Sequence, residues 1–230
     1  MENPGLVVFL LQVAGAAALL IWSVRLVRTG VERAYSVPLR RWLRQGARRP
    51  VLALGTGAAV AVLLQSSTAV AMLVSSFTAA GSVSAAVGLA ILLGADVGSA
   101  VVVQILMLQS DLVVPLLLLA GVTAFLKSPG KTGRQTGRIL IGLGLIFVSL
   151  GMIRAATDPL RDSEGIIAAM RYLGGDPVTA FALGAIFAWA VHSSVAAVLL
   201  CVTLAAQGLM PVPVAAAMVL GANLGGSVIA

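Results

Sequence analysis

Residues 51–80 read VLALGTGAAVAVLLQSSTAVAMLVSSFTAA. Two apolar stretches, Val51–Leu64 and Ala69–Ala80, are separated by Gln65-Ser66-Ser67-Thr68. A helix needs about 20 residues to cross a bilayer, and apolar stretches of about 10–14 suit re-entrant segments. The stretch therefore reads as a hairpin that enters a membrane, turns at a polar tip and leaves on the same side. The pattern occurs twice: Val178–Val191 and Val195–Ala206 flank His192-Ser193-Ser194.

Such hairpins need a lipid solvent, and the composition demands one. Of the 230 residues 60% are hydrophobic and 10% charged, with a mean hydropathy of +1.06. Soluble domains carry about 25% charge. Soluble, disordered and collagen-like chains are thereby excluded. A disulfide scaffold is excluded too, since Cys201 stands alone. The net charge of +7 comes from three cation groups: eight arginines between Arg25 and Arg49; Lys127, Lys131, Arg134 and Arg138; and Arg154, Arg161 and Arg171 among Asp158, Asp162, Glu164 and Asp176. These read as membrane-flanking loops rather than a nucleic-acid face, for no soluble domain is present to carry one. The 28–49 stretch, with Tyr35, Leu39, Trp42 and Leu43 among its arginines, suits a headgroup region. No cleavable signal peptide is expected: the first apolar run, from Leu6, follows an acidic Glu2.

Leu6–Val27 and Val83–Gln109 are long enough to span; Leu112–Leu126 and Ile139–Ile153 are shorter and need flanking residues. If 51–80 is a hairpin, the 25–49 and 127–138 loops share one side with twelve cations against three; a single crossing gives eleven against four. Cytoplasmic loops are enriched in Lys and Arg. The expectation is a multi-pass protein of the plasma or inner membrane, its N-terminus outside and both loops cytoplasmic.

An internal repeat supports the hairpins. At an offset of 127 residues, with no gap, Gln65-Ser66-Ser67-Thr68-Ala69 falls on His192-Ser193-Ser194-Val195-Ala196. Gly94-Ala95-Asp96-Val97-Gly98 falls on Gly221-Ala222-Asn223-Leu224-Gly225. Apolar segments match one another by composition, so the shared register of two polar motifs carries the argument. The reading is a single membrane domain, 1–230, with repeat one at about 6–126 and repeat two at about 133–230, the second lacking a counterpart of helix 112–126. The fold class expected is an all-α integral membrane protein of inverted-topology repeats, each with a re-entrant helical hairpin and a broken transmembrane helix. Repeats of this kind place substrate near the bilayer midplane.

The glycines Gly94, Gly98, Gly221 and Gly225 are expected to break their helices, although such residues also serve as packing surfaces. Broken helices free N–H groups that suit an anion and carbonyls that suit a cation. No Lys or Arg lies in the motifs. An anion there would be held by N–H and hydroxyl donors, with a co-bound cation offsetting its charge. A serine in a membrane helix can instead simply bond back to its own helix. Asp96, ionisable amid an apolar run, is a cation ligand or protonatable group. His192 is either a pH-sensitive substrate contact or a hydrogen-bonding residue of fixed tautomer.

The paired motifs resemble those of the type II sodium-dependent phosphate cotransporter family. The resemblance implies duplicated inverted repeats and sodium-driven uptake of inorganic phosphate. Gln65, Ser66, Ser67 and Thr68, with His192, Ser193 and Ser194, would contact substrate; Asp96, Asn223, Ser66 and Ser193 would bind or couple sodium. His192 stands where the family has Gln, Thr68 and Val195 where it has Ser, and Asp96 where it has Asn. Expected partners are inorganic phosphate, Na+ and the lipid bilayer, with a homodimer as a candidate assembly and no nucleic acid. Na+ is the coupling ion; no other cofactor, no transition-metal site and no enzymatic activity are expected. The alternatives are a cation- or proton-coupled carrier of another oxyanion and a non-transporting membrane scaffold.

Overall fold

The computed structural model describes residues 5–46, 49–107, 112–160 and 163–228, and no strand occurs among them. Ten α-helices follow one another in these residues: α1 (Gly5–Gly46), α2 (Pro50–Leu64), α3 (Ser67–Ala79), α4 (Ala85–Met107), α5 (Val113–Lys127), α6 (Lys131–Thr157), α7 (Glu164–Gly175), α8 (Pro177–Val191), α9 (Ser194–Ala206) and α10 (Val212–Ser227). Among the described residues, three helices are long and apolar enough to cross a membrane: Val7–Leu43, Ala85–Met107 and Lys131–Leu160. The Gln109 end of the expected Val83–Gln109 span lies outside the described residues, as do Arg161 and Asp162.

Contacts divide the chain into two compact units. One is Val24–Gly144; the other joins the residues up to Ser23 with those from Leu145 onward. In the first unit, α2 and α4 make the dominant contact. A Cβ on Gly94 would collide with the Leu54 carbonyl oxygen, and one on Gly98 with that of Ala58. Four residues along α2 match four along α4, so the two helices run parallel. From the other side, Gly57 abuts the Ile91 carbonyl. α3 returns between them: a Cβ on Gly88, near the start of α4, would lie 3.2 Å from Val74 and 3.3 Å from Thr78, late in α3. α2 and α3 therefore form a helical hairpin, with Gln65 and Ser66 at its tip.

The second unit repeats this packing at the same offset. Gly221 abuts the Phe181 carbonyl, Gly225 that of Ala185, and Gly184 that of Met218. Its hairpin is α8–α9, tipped by His192 and Ser193. Pro177 opens α8 as Pro50 opens α2. Asp176 caps α8, accepting hydrogen bonds from the Thr179 N–H at 3.0 Å and the Thr179 hydroxyl at 2.5 Å. A core of Ala180, Cys201, Met210, Val214 and Ala215 lies beneath.

Three expectations are corrected. First, Gly94, Gly98, Gly221 and Gly225 break no helix: α4 and α10 run through both motifs. Each motif is instead a small-xxx-small face that lets two backbones touch. Without side chains in between, the helices gain dispersion and Cα–H···O contacts along the seam. Second, the 28–46 part of the 28–49 segment is not a loop. α1 continues to Gly46, with one non-helical residue, Tyr35 (φ −129°, ψ 15°). Pro38 accounts for the kink: it offers no N–H to the Ala34 carbonyl, and its ring crowds that carbonyl. Buried Leu20, Val24, Val27 and Val31, then Leu39 and Leu43, form the stripe that keeps the arginine-rich stretch helical. Third, α6 begins at Lys131, so most of the 127–138 segment is helical as well. The short helix α7 was not anticipated. At the 127-residue offset it corresponds to the part of α1 beyond the kink.

The packing predicts opposite effects for a glycine on the seam and one off it. Gly94→Ala should lower stability by about 1–3 kcal/mol through overpacking. Gly55 on α2 has nothing within 4 Å of a built Cβ. Gly55→Ala should therefore leave stability unchanged or raise it by up to about 1 kcal/mol through helix propensity. Thermal unfolding of both variants in detergent decides the matter; equal effects would contradict the seam.

Candidate functional site: two polar helix–helix tips

Each tip is built in the same way. α2 ends because Gln65 turns left-handed (φ 51°, ψ 36°), and α8 ends because His192 does the same (φ 55°, ψ 34°). The Ser66 N–H then reaches back to the Ala61 carbonyl, and the Ser193 N–H to that of Ala188, each at 3.3 Å. This geometry closes many helices, usually with glycine at the left-handed position. An L-residue there costs roughly 1–2 kcal/mol. Among the described residues, the non-glycine positive φ angles are those of Gln65 and His192. A strained conformation retained by a polar side chain in both copies points to work done by that side chain. Past each hairpin the chain turns on a left-handed glycine, Gly81 (φ 68°) or Gly208 (φ 76°), where no such side chain is kept.

The first serine of each pair is a helix cap. Ser66 Oγ accepts from the Ala69 N–H at 3.1 Å, and Ser193 Oγ accepts from the Ala196 N–H at 3.2 Å. The structural role weighed for these serines is thus real, and it leaves each hydroxyl hydrogen free to donate elsewhere. Ser67 and Ser194 occupy the first helical positions, and Thr68 follows Ser67. First-turn N–H groups have no intrahelical carbonyl within reach, and the helix dipole adds partial positive charge. Each tip is therefore a helix N-terminus set with hydroxyls and without a cation, suited to an oxyanion.

Gln65 adds a second signal. Its side chain is 6% exposed, and its Oε1 is buried with no hydrogen-bond partner. A buried acceptor left unmet costs about 1–3 kcal/mol. A protonated oxyanion or a hard cation would satisfy it. His192 is exposed, with Nδ1 at 3.2 Å from the Ala190 carbonyl.

The Gly-Ala-Asx-x-Gly residues lie elsewhere on their helices. Asp96 sits midway along α4 and Asn223 on α10, both exposed from their own units. From the Ala58–Gly98 contact, Asp96 is roughly 13 Å short of the Gln65 tip along the helix axis. Within its unit the structure gathers Gln65, Ser66, Ser67 and Thr68 and leaves Asp96 apart. In the other unit His192, Ser193 and Ser194 are gathered and Asn223 stands apart. The left-handed turn at Gln65 and His192 had no sequence signal, because neither residue type favours it.

The family described as Na+/Pi-cotransporter matches residues 19–155 and 163–230. The chain is 42% identical over 221 residues to YjbB of Escherichia coli strain K12, named as a candidate inorganic phosphate export protein. It is 41% identical to the protein of the same name from Salmonella typhimurium strain LT2. Each alignment covers 96% of this chain and 41% of the relative. The chain thus spans about two fifths of the length of these relatives. No solved structure matches the chain.

The strain at the tips is separable from their chemistry. Gln65→Gly removes the left-handed penalty, and Gln65→Ala keeps it. The glycine variant should be the more stable of the two by about 1 kcal/mol in thermal unfolding. Both should lose whatever affinity the Gln65 amide supplies. Equal stability of the two variants would contradict the assigned conformation.

Proposed function

The chain belongs to the Na+/Pi-cotransporter family, and from that premise we propose that it moves inorganic phosphate across a membrane, with the two tips as phosphate-binding elements and Na+ as the coupling ion. The observation that carries this reading is the buried, unmet Gln65 Oε1 at the head of a serine-capped helix N-terminus. Ser67, Thr68 and the first-turn N–H groups of α3 donate to phosphate oxygens. Ser194 and the first turn of α9 do the same at the second tip. Bound phosphate is anionic, and no Lys or Arg lies in either motif. A hard cation with oxygen ligands offsets that charge and supplies the reason for coupling. Asp96 places a carboxylate at the midpoint of an apolar helix long enough to span, where an ionisable group is costly without a role. It acts on the coupling cation rather than on phosphate, since it stands off the tip. In this reading the hairpins are re-entrant and the repeats of inverted topology.

Sodium-driven uptake is the first reading of direction. A second, export, is favoured by the name of the relatives at 41–42% identity. Both use the same tips and differ in which face loads.

Proteoliposomes decide between them. Labelled phosphate is followed into and out of vesicles under a sodium gradient of either sign, with potassium as the control. Sodium-dependent flux is expected, and its favoured orientation gives the direction. Flux indifferent to sodium would remove Na+ as the coupling ion; absence of flux from folded protein would remove the function.

In the same assay, Ser67→Ala and Ser194→Ala should each raise the half-saturating phosphate concentration about tenfold, the loss of one charge-assisted hydrogen bond. Asp96→Asn should weaken activation by sodium more than affinity for phosphate. The reverse order for Asp96 would place the carboxylate in the phosphate site instead.

A further inference from the structure

Beside the first tip, and wholly within the Val24–Gly144 unit, lies a cavity of about 280 Å3. Leu64 and Ala69, which bracket the tip, form one wall. Arg28 and Glu32, before the kink of α1, and Ser36 and Arg40, beyond it, form another. Arg28 donates from Nε to Glu32 Oε1 at 2.9 Å. That bond orients the guanidinium and leaves its two terminal nitrogens free to donate. Arg40 has no hydrogen-bond or ion-pair partner among the described residues. The lining carries two cations against one anion.

The internal repeat provides a control. At the 127-residue offset Ser36 becomes Ser163, Leu64 becomes Val191 and Ala69 stays alanine as Ala196. Arg28, Glu32 and Arg40 become Ala155, Pro159 and Ile167. Both hairpins have the same tip geometry and the same glycine seam, so the charged trio is not needed to build either. It is an addition to one copy. Guanidinium groups fit phosphate oxygens as paired donors, and the tip itself holds no cation.

We infer that Arg28 and Arg40 form a separate, low-affinity site for a phosphate-type oxyanion, next to the first tip and beside Ser36. Glu32 holds Arg28 in its donating orientation and keeps the net charge low enough for release. Such a site concentrates the anion on the face of the protein that bears the α1 arginines. An anionic lipid headgroup has the same chemistry as free phosphate and is the other source of such a ligand. The choice of inorganic phosphate as probe rests on the phosphate-carrying reading; the site's positive potential does not.

The test uses the full chain with Ser36→Cys in phosphatidylcholine nanodiscs; Cys201, being buried, gives little background. Labelling rates are compared for an anionic methanethiosulfonate and a neutral one of similar size. Arg28→Gln with Arg40→Gln should lower the anionic-to-neutral ratio by about tenfold. Lysine at both positions should restore most of it. The neutral rate reports whether each variant is folded. Inorganic phosphate at millimolar concentration should slow anionic labelling only when the arginines are present. If phosphatidylglycerol nanodiscs protect the introduced thiol and phosphate does not, the site stands with lipid as its ligand. An unchanged ratio would overturn the inference, and so would a lowered ratio with protection by neither ligand. None of these readouts requires transport, so failure of the transport reading leaves them interpretable.

Discussion

Backbone-to-backbone contact between α2 and α4, and again between α8 and α10, is the constraint on which each unit depends. Helices in lipid gain little from the hydrophobic effect when they meet, because lipid tails are as apolar as leucine. Close approach must supply the attraction, and only glycine permits it at Gly57, Gly94 and Gly98, or at Gly184, Gly221 and Gly225. Because the seam is parallel, the chain leaving α2 must return before it can start α4. α3 is that return, and its N-terminus is thereby fixed at the end of α2. The polar tip follows from the packing of apolar helices well away from it.

At the tip, the fold accepts a local cost. A left-handed Gln65 and a left-handed His192 are less stable than glycine would be, and the Gln65 oxygen is buried without a partner. The serine caps recover part of this by engaging one first-turn N–H in each copy. An anion held by dipoles and hydroxyls binds less tightly than one clamped by arginine, which suits a carried substrate that must leave again. The arginines are placed next door, on α1, in one copy alone. The two tips therefore share a geometry and differ in electrostatic surroundings.

Much of this was legible in the sequence. The hairpin arms were bounded to within a few residues, because the polar interruptions at Gln65–Thr68 and His192–Ser194 are also the helix ends. The repeat was legible because its two motifs keep one register. Gly94–Gly98 and Gly221–Gly225 were misread because glycine in a membrane helix can either unwind it or admit a neighbour. The four-residue spacing was the available signal for the second. The arginine-rich part of α1 was read as a loop because charge dominated the impression. Leu39 and Leu43, four apart and both buried, carried the helical period. α7 escaped notice because its counterpart is hidden in α1 behind the Pro38 kink. The left-handed turns were not legible at all, since they are set by the seam and the return of the chain rather than by local preference.

The central claim is that helix N-termini at the two tips hold phosphate directly. Solid-state NMR measures it without any transport step: the protein is labelled with 15N-serine, loaded with inorganic phosphate in bilayers, and probed by 15N–31P dipolar dephasing. The account predicts dephasing of the Ser67 and Ser194 amides, while Ser149, buried in α6, stays silent. Bound phosphate that dephases neither tip amide would contradict it.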